Sequence, residues 1–267
     1  MGNDAIELEE SRLQGIEKLE EYPWFKDRHR VFPGVFENRK HKRILDSSAG
    51  VGCVGKRIND YYPAELVCND ISPTCIKILR DLGLHTMSFD IDDVSKPFPF
   101  QDDYFDAVIS LVTIEHLMNP EHFLRESNRI LENNGYLYIS TPNYASLNYV
   151  LGLVLTGKSF HDPLTESYEF YAHVRYYTYR TLIELVSSFG FILDSVYIAL
   201  PEGSSHYQAL LSHSRTKALA YRYGRWLMYH LLSPRWTAEP ILCFQKSTSE
   251  ITRSKPAGDS RVQKVVL

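Results

Sequence analysis

Between residues 43 and 141 the chain alternates short apolar runs with amphipathic segments of helical period, and this alternation constrains its fold more than any other feature. Arg43–Asp46, Ala64–Asp70 and His85–Asp90 read as strands. Tyr104–Leu111 reads as a fourth, with the unbroken apolar run of a strand buried on both faces, and Gly135–Thr141 as a fifth. Ser72 and Pro73 open a helix as N-cap and first residue, Ile76, Leu79 and Leu82 line one of its faces, and Gly83 stops it. Phe123, Leu124, Ile130 and Leu131 mark a further helix that ends near Gly135. A helix capped by Thr178 runs to Gly190, and Phe191–Leu200 and Pro240–Lys246 look like two last strands. The prediction is an α/β chain with a doubly wound, mostly parallel sheet of seven strands.

Around this core, residues 1–42 read as an N-terminal helical cap, 43–246 as the domain proper and 247–267 as a disordered tail. Residues 144–177 break the rhythm and read as a lid insertion, and 203–236 as a helical insert before the last strand. A net charge of −4 with no basic tail gives no sign of a nucleic-acid partner. Four cysteines with no CxxC spacing predict buried, reduced thiols in a cytoplasmic protein, and no metal site is read from them. The acidic start MGNDAIELEESRL reads as no signal peptide. The apolar run Tyr149–Leu155 is too short to span a bilayer.

The loop after the first strand, ILDSSAGVGCVG, contains GxGxxG at Gly50, Gly52 and Gly55, and Asp70 follows at the end of the next strand. That is the dinucleotide fingerprint as usually written. Asp46 argues against it, because a carboxylate beside the first turn would repel a pyrophosphate resting on the helix N-terminus. A cofactor presenting a cation there would bind Asp46 through a charge-assisted hydrogen bond.

Read from Asp46 to Gly52, the loop resembles motif I of class I S-adenosylmethionine-dependent methyltransferases, Asp-x-Gly-x-Gly-x-Gly, with Ser48 replacing the first glycine. If the backbone at Ser48 needs φ > 0, serine costs about 1 kcal/mol or more and weakens cofactor binding. FDIDDVSKPFPFQDDYFDAVIS, SLVTIEHL, GYLYISTPN and HVRYYTYRTLIELVSSFGF resemble later segments of the same family in the same order. The resemblance runs from about residue 22 to 200 and is closest to the small-molecule, type-11 or type-23 branch. It implies S-adenosylmethionine as cofactor. Asp46, Ser48, Gly50 and Gly52 would lie at its methionine end, and Asp70 and Ile71 at the ribose. Asp90 would approach the adenine amino group, with Asp92 as the alternative, Ile91 would lie along the ring, and Leu111 and Val112 would line the cleft.

Methyl transfer needs a base only when the acceptor arrives protonated. His116 is a candidate proton acceptor, and His173 could orient the substrate or pack the lid. Glu115 reads as a structural contact, and Asn143 as facing the cleft or capping a turn. Trp24, Phe25 and Arg28 could cover the cofactor or simply pack. Arg39–Arg43 reads as a solvated linker. The expected acceptor is a small or lipid-linked molecule, methylated at oxygen in preference to nitrogen or carbon. The basic, aromatic stretch 214–236 would form a substrate wall or touch a membrane surface. Two other readings stay open: an NAD-dependent oxidoreductase, from the GxGxxG, and a non-catalytic S-adenosylmethionine-binding partner protein.

Overall fold

The computed structural model describes residues 2–157, 173–231, 236–247 and 264–266. The seven predicted strands are present: β1 (Arg43–Asp46), β2 (Glu65–Asn69), β3 (His85–Met87), β4 (Phe105–Leu111), β5 (Leu131–Ser140), β6 (Phe191–Ile198) and β7 (Ile241–Lys246). They form one sheet in the order β3-β2-β1-β4-β5-β7-β6. All neighbours are parallel except β7, which runs antiparallel to both β5 and β6. β7 begins opposite the end of β6, with Ile241 against Tyr197, and runs back to Lys246 against Phe191, as an antiparallel pair needs no crossover to the start of β6.

The helices are α1 (Gly2–Arg12), α2 (Cys53–Tyr61), α3 (Pro73–Asp81), α4 (Pro120–Ile130), α5 (Leu147–Thr156), α6 (Tyr179–Ser187), α7 (Ser205–His213) and α8 (Arg215–Leu231). Successive strand residues point to opposite faces, so the sheet feeds two cores. Leu45, Val108 and Leu137 pack with Phe123, Leu182 and Val186 on one side. Ile44, Ala107, Ile109 and Tyr138 pack with Ile58 and Phe36 on the other. The predicted caps are in place: Ser72 Oγ accepts the Cys75 N–H at 3.1 Å, and Thr178 Oγ1 accepts that of Thr181 at 3.2 Å.

The N-terminal cap is less helical than expected. Beyond α1 it contains short 3-10 turns at Leu19–Glu21 and Gly34–Phe36, because Gly15 (φ 82°), Pro23 and Pro33 interrupt a continuous helix. Its Leu13 and Leu19 pack with Val51, Cys53, Cys75 and Ile78 over α2 and α3, and Phe25 joins them while Trp24 stays exposed. The run at 39–43 is not a solvated linker. Arg39 pairs with Asp194 and donates to Tyr197 Oη at 2.6 Å, and His41 is buried against Tyr138 Oη at 2.8 Å. All four cysteines are free and buried. Lys264–Val266 forms an eighth strand, β8, parallel to β6. Disorder was expected there, but the β-branched pair Val265–Val266 suits an available sheet edge. The rest of that tail from 248, and residues 158–172 of the lid, lie outside the described residues.

Candidate active site

Asp46 is level with Cys68 of β2 and Ile109 of β4, so the segments that follow these three strands meet at one end of the sheet. The glycine loop is held there by Ala49 N–H donating to Asn69 O at 2.9 Å. Asn69 is buried and ties three strand exits together. Its Nδ2 donates to Ser47 O and Phe89 O, both at 3.0 Å, and its Oδ1 accepts the Phe89 N–H at 2.9 Å. Gly52 has φ 90°, a conformation that favours glycine, and a Cβ there would stand 2.9 Å from Leu79 Cδ2, so the leucine side chain would have to shift.

Asp46 is 3% exposed. Burial pushes its carboxyl up to about 7, with the charge of Asp70 adding and the Ser48 N–H bond opposing. Asp70 is also pushed upward by burial, against hydrogen bonds from Ser72, Gly50 and Ile71. Its Oδ2 accepts the Gly50 N–H at 2.8 Å and its Oδ1 that of Ser72 at 2.9 Å. A carboxylate offers about four lone-pair directions, so both oxygens can still take ligand hydroxyls. Ile71, the next residue, is half-buried. Ser48 is not among the residues with positive φ, so the cost expected of serine at this position does not arise. Its hydroxyl bonds Thr113 Oγ1 and links the glycine loop to the β4 exit.

At the neighbouring exits, Asp90 is exposed and Ile91 buried. Asp92 is committed elsewhere: its carboxylate accepts the N–H groups of Met118 at 2.9 Å and Asn119 at 2.7 Å. Asp90 is therefore the better placed of the two acids for a ligand amino group. Leu111 ends β4 as a buried residue, and Val112 follows at φ 55°, a left-handed conformation that a β-branched residue rarely adopts. Asn143 clamps the backbone, with Nδ2 donating to Thr237 O at 2.7 Å and Oδ1 accepting the Tyr179 N–H at 3.0 Å.

His116 and His173 come together, with ring centroids 4.7 Å apart. Between them lies Glu115, which is fully buried and which a local reading of the sequence treats as structural. Its Oε2 accepts the Thr141 hydroxyl at 2.8 Å, and its Oε1 stands 3.9 Å from His116 Nε2 and 4.0 Å from His173 Nε2. Burial pushes Glu115 up to about 8. His173 is lowered by burial and by the charge of Arg12 at the end of α1. The cap, the lid and the strand exits therefore converge on one place. A surface groove of about 440 Å³ on the flank of α3 touches this constellation only at Ile71. Convergent acids rather than concavity locate the site.

Two desolvated carboxylates beside a glycine loop repel a diphosphate and suit a cationic ligand with ribose hydroxyls. A family model described as a methyltransferase domain matches residues 16–196, more than half of the chain. The chain belongs to that family, a domain of the class I S-adenosylmethionine-dependent methyltransferase type. Ajmaline N-methyltransferase of Rauvolfia serpentina is 32% identical over 115 residues, covering 41% of this chain and 39% of that enzyme. Ubiquinone biosynthesis O-methyltransferase of Xanthomonas oryzae is 28% identical over 118 residues, covering 42% of this chain and 48% of that enzyme. The matches thus span less than half the length of these relatives. Among solved structures, a methyltransferase in complex with the Haloferax volcanii Trm112 methyltransferase activator superposes with a TM-score of 0.59. It is 18% identical, and the match covers 94% of this chain and 100% of that one. At this identity the likeness is one of fold.

Proposed function

We propose that this protein transfers the methyl group of S-adenosylmethionine to an oxygen of a small-molecule or lipid-linked acceptor. The observation that carries this reading is the pair formed by buried Asp46 and half-buried Asp70 where β1 and β2 end, a site suited to a cationic head and a ribose. When bound, the cofactor supplies a methyl carbon made electrophilic by its sulfonium. Asp46, Ser48, Gly50 and Gly52 would hold the methionine end, Asp70 and Ile71 the ribose, and Asp90 and Ile91 the adenine, with Leu111 and Val112 lining the cleft. Positioning does most of the work in such a reaction. An oxygen acceptor arrives protonated, and His116 and His173 are the groups that meet its proton.

The names of the relatives divide between N- and O-methylation and include a tocopherol O-methyltransferase of Arabidopsis thaliana. The imidazole pair favours oxygen here, because a hydroxyl has more need of a proton acceptor. Among the described residues no helix is long and apolar enough to cross a membrane. Peripheral contact through 214–236 is supported by Leu219, Tyr223, Trp226 and Leu227, all exposed on a helix that also carries Arg215, Lys217 and Arg222. Four buried free thiols suit the reducing cytoplasm. Incubation with methyl-labelled cofactor and a cell extract tests the proposal. A labelled small molecule that disappears with Asp70→Ala is expected, and a wild-type chain that binds the cofactor but labels nothing would leave only a binding protein.

A further inference from the structure

Glu115, His116 and His173 are arranged for more than accepting a proton. Their donor atoms lie within 4.8 Å of one another. The side chain of Glu115 is 0% exposed, and its Oε1, aimed at both imidazoles, has no hydrogen-bond partner among the described residues. Leaving a buried carboxylate oxygen without a donor is costly, and proteins rarely tolerate it without a purpose. The outer contacts of two of the three residues have the form that surrounds metal ligands, in which a group behind the ligand fixes which atom faces inward. Tyr144 Oη bonds His173 Nδ1 at 2.6 Å, which turns Nε2 toward Glu115, and Thr141 occupies the other oxygen of Glu115. The two segments are also stitched together through the backbone. Val174 and Arg175 N–H groups donate to Glu115 O at 2.9 and 3.1 Å, so His173 is held against the turn that carries Glu115 and His116.

We propose that Glu115, His116 and His173 bind a divalent first-row transition-metal ion next to the methyl-transfer site. Two imidazoles and one carboxylate suit Zn²⁺, Co²⁺, Mn²⁺ or Fe²⁺, whereas Mg²⁺ and Ca²⁺ favour all-oxygen sets. Ligand bonds of about 2.0–2.1 Å in tetrahedral geometry place donors roughly 3.3 Å apart. The carboxylate-to-imidazole distances of 3.9 and 4.0 Å need to close by about 0.6–0.7 Å, and donors that lie within 4.8 Å of one another by up to about 1.5 Å, which side-chain rotations supply. With these three ligands among the described residues, a tetrahedral ion has a further position for another ligand. With the ion bound, His116 and His173 act as ligands in place of proton acceptors, and an acceptor hydroxyl in that position would be oriented and would ionise at lower pH, its proton passing to solvent. This use of the ion rests on the methyltransferase reading, but its binding does not. The substrate class it selects is a hydroxylated acceptor able to coordinate through oxygen.

The full chain, stripped with a chelator and dialysed, is titrated with Co²⁺ and then Zn²⁺. The readouts are Co²⁺ visible absorption and bound metal by elemental analysis, with a parallel titration of S-adenosylhomocysteine. One ion per chain is expected, with at least a tenfold weaker dissociation constant in Glu115→Gln and in His173→Asn. Should either variant misfold, the wild-type protein still decides, because added Zn²⁺ must raise its Tm and chelator must reverse the rise. Stoichiometric uptake that fails to appear, or that is equal in wild type and folded Glu115→Gln, overturns the proposal. S-adenosylhomocysteine binding without metal binding would sink the metal site alone. Metal binding without S-adenosylhomocysteine binding would sink the methyltransferase reading alone.

Discussion

A carboxylate withdrawn from water gains most from meeting a cation, and Asp46 is such a group. Its raised folded-state value means that the ligand-free protein holds an extra proton here between the ordinary aspartate range, near 4, and about 7. Stability contributed by this proton is complete below that window and is lost as pH rises through about 7. Binding a cationic head needs the ionised form, so the two pH dependences are opposite. We expect S-adenosylhomocysteine affinity to rise with pH through neutrality, and Asp46→Asn to flatten that dependence while weakening binding about tenfold to a hundredfold. Titration calorimetry across pH 5.5–8.5, with thermal unfolding of the free protein over the same range, checks both. Asp46, Gly50, Gly52 and Asp70 could be read from the sequence because their spacing is local to one loop and one strand. Glu115 could not, since its unpartnered oxygen and its approach to His173 exist only once the lid segment folds back. The φ of Val112 is likewise a property of the finished turn, not of the residue type.

Among the elements, α1 has the clearest energetic handle. Glu10 accepts from the Thr74 N–H at 3.1 Å and the Thr74 hydroxyl at 2.7 Å, and it also bonds the Ser72 hydroxyl. Ser72 is both the N-cap of α3 and the residue whose N–H bonds Asp70, so α1 is anchored to the wall of the cofactor site. Glu10→Ala should destabilise the fold by about 1 kcal/mol, because these partly solvated bonds are worth less than buried ones. Chemical denaturation should show that loss, together with weaker cofactor binding. Unchanged stability would mean that α1 is not held by this contact. The caps of α3 and α6 were readable in advance because capping is decided within four residues. Helical content between α1 and β1 was overestimated because local polarity says little where glycine and proline interrupt the backbone.

Over the whole molecule, the parallel half of the sheet gathers Asp46, Asp70 and Asp90 at its strand exits, and the segments that break its rhythm are the ones we propose to choose the acceptor. The start of the 203–236 insert meets the N-terminal cap, with the Ser205 N–H donating to Asp27 at 2.9 Å, and Arg30 bonds Leu200 O just before it. The described end of the lid brings His173 to the site. Exchanging residues 144–177 and 203–236 for the matching segments of a relative should change which acceptor is methylated and leave S-adenosylhomocysteine affinity within about threefold. Product analysis by mass spectrometry would reveal this, and an unchanged acceptor would remove these segments from acceptor selection. Vesicle sedimentation addresses the exposed apolar face of α8. Anionic vesicles should carry the protein down, and Trp226→Glu should release it. The class of fold was visible because strand and helix periods repeat along the chain. The acceptor was not, because irregular insertions obey no period.

The central claim is that the cleft beyond β1 holds a cation through Asp46 and Asp70. Titration calorimetry of the wild-type chain at pH 8, with S-adenosylhomocysteine and with NADH in separate runs, tests it most directly. The account predicts one-to-one binding of S-adenosylhomocysteine and no heat from NADH. Saturable NADH binding with no response to S-adenosylhomocysteine would contradict it.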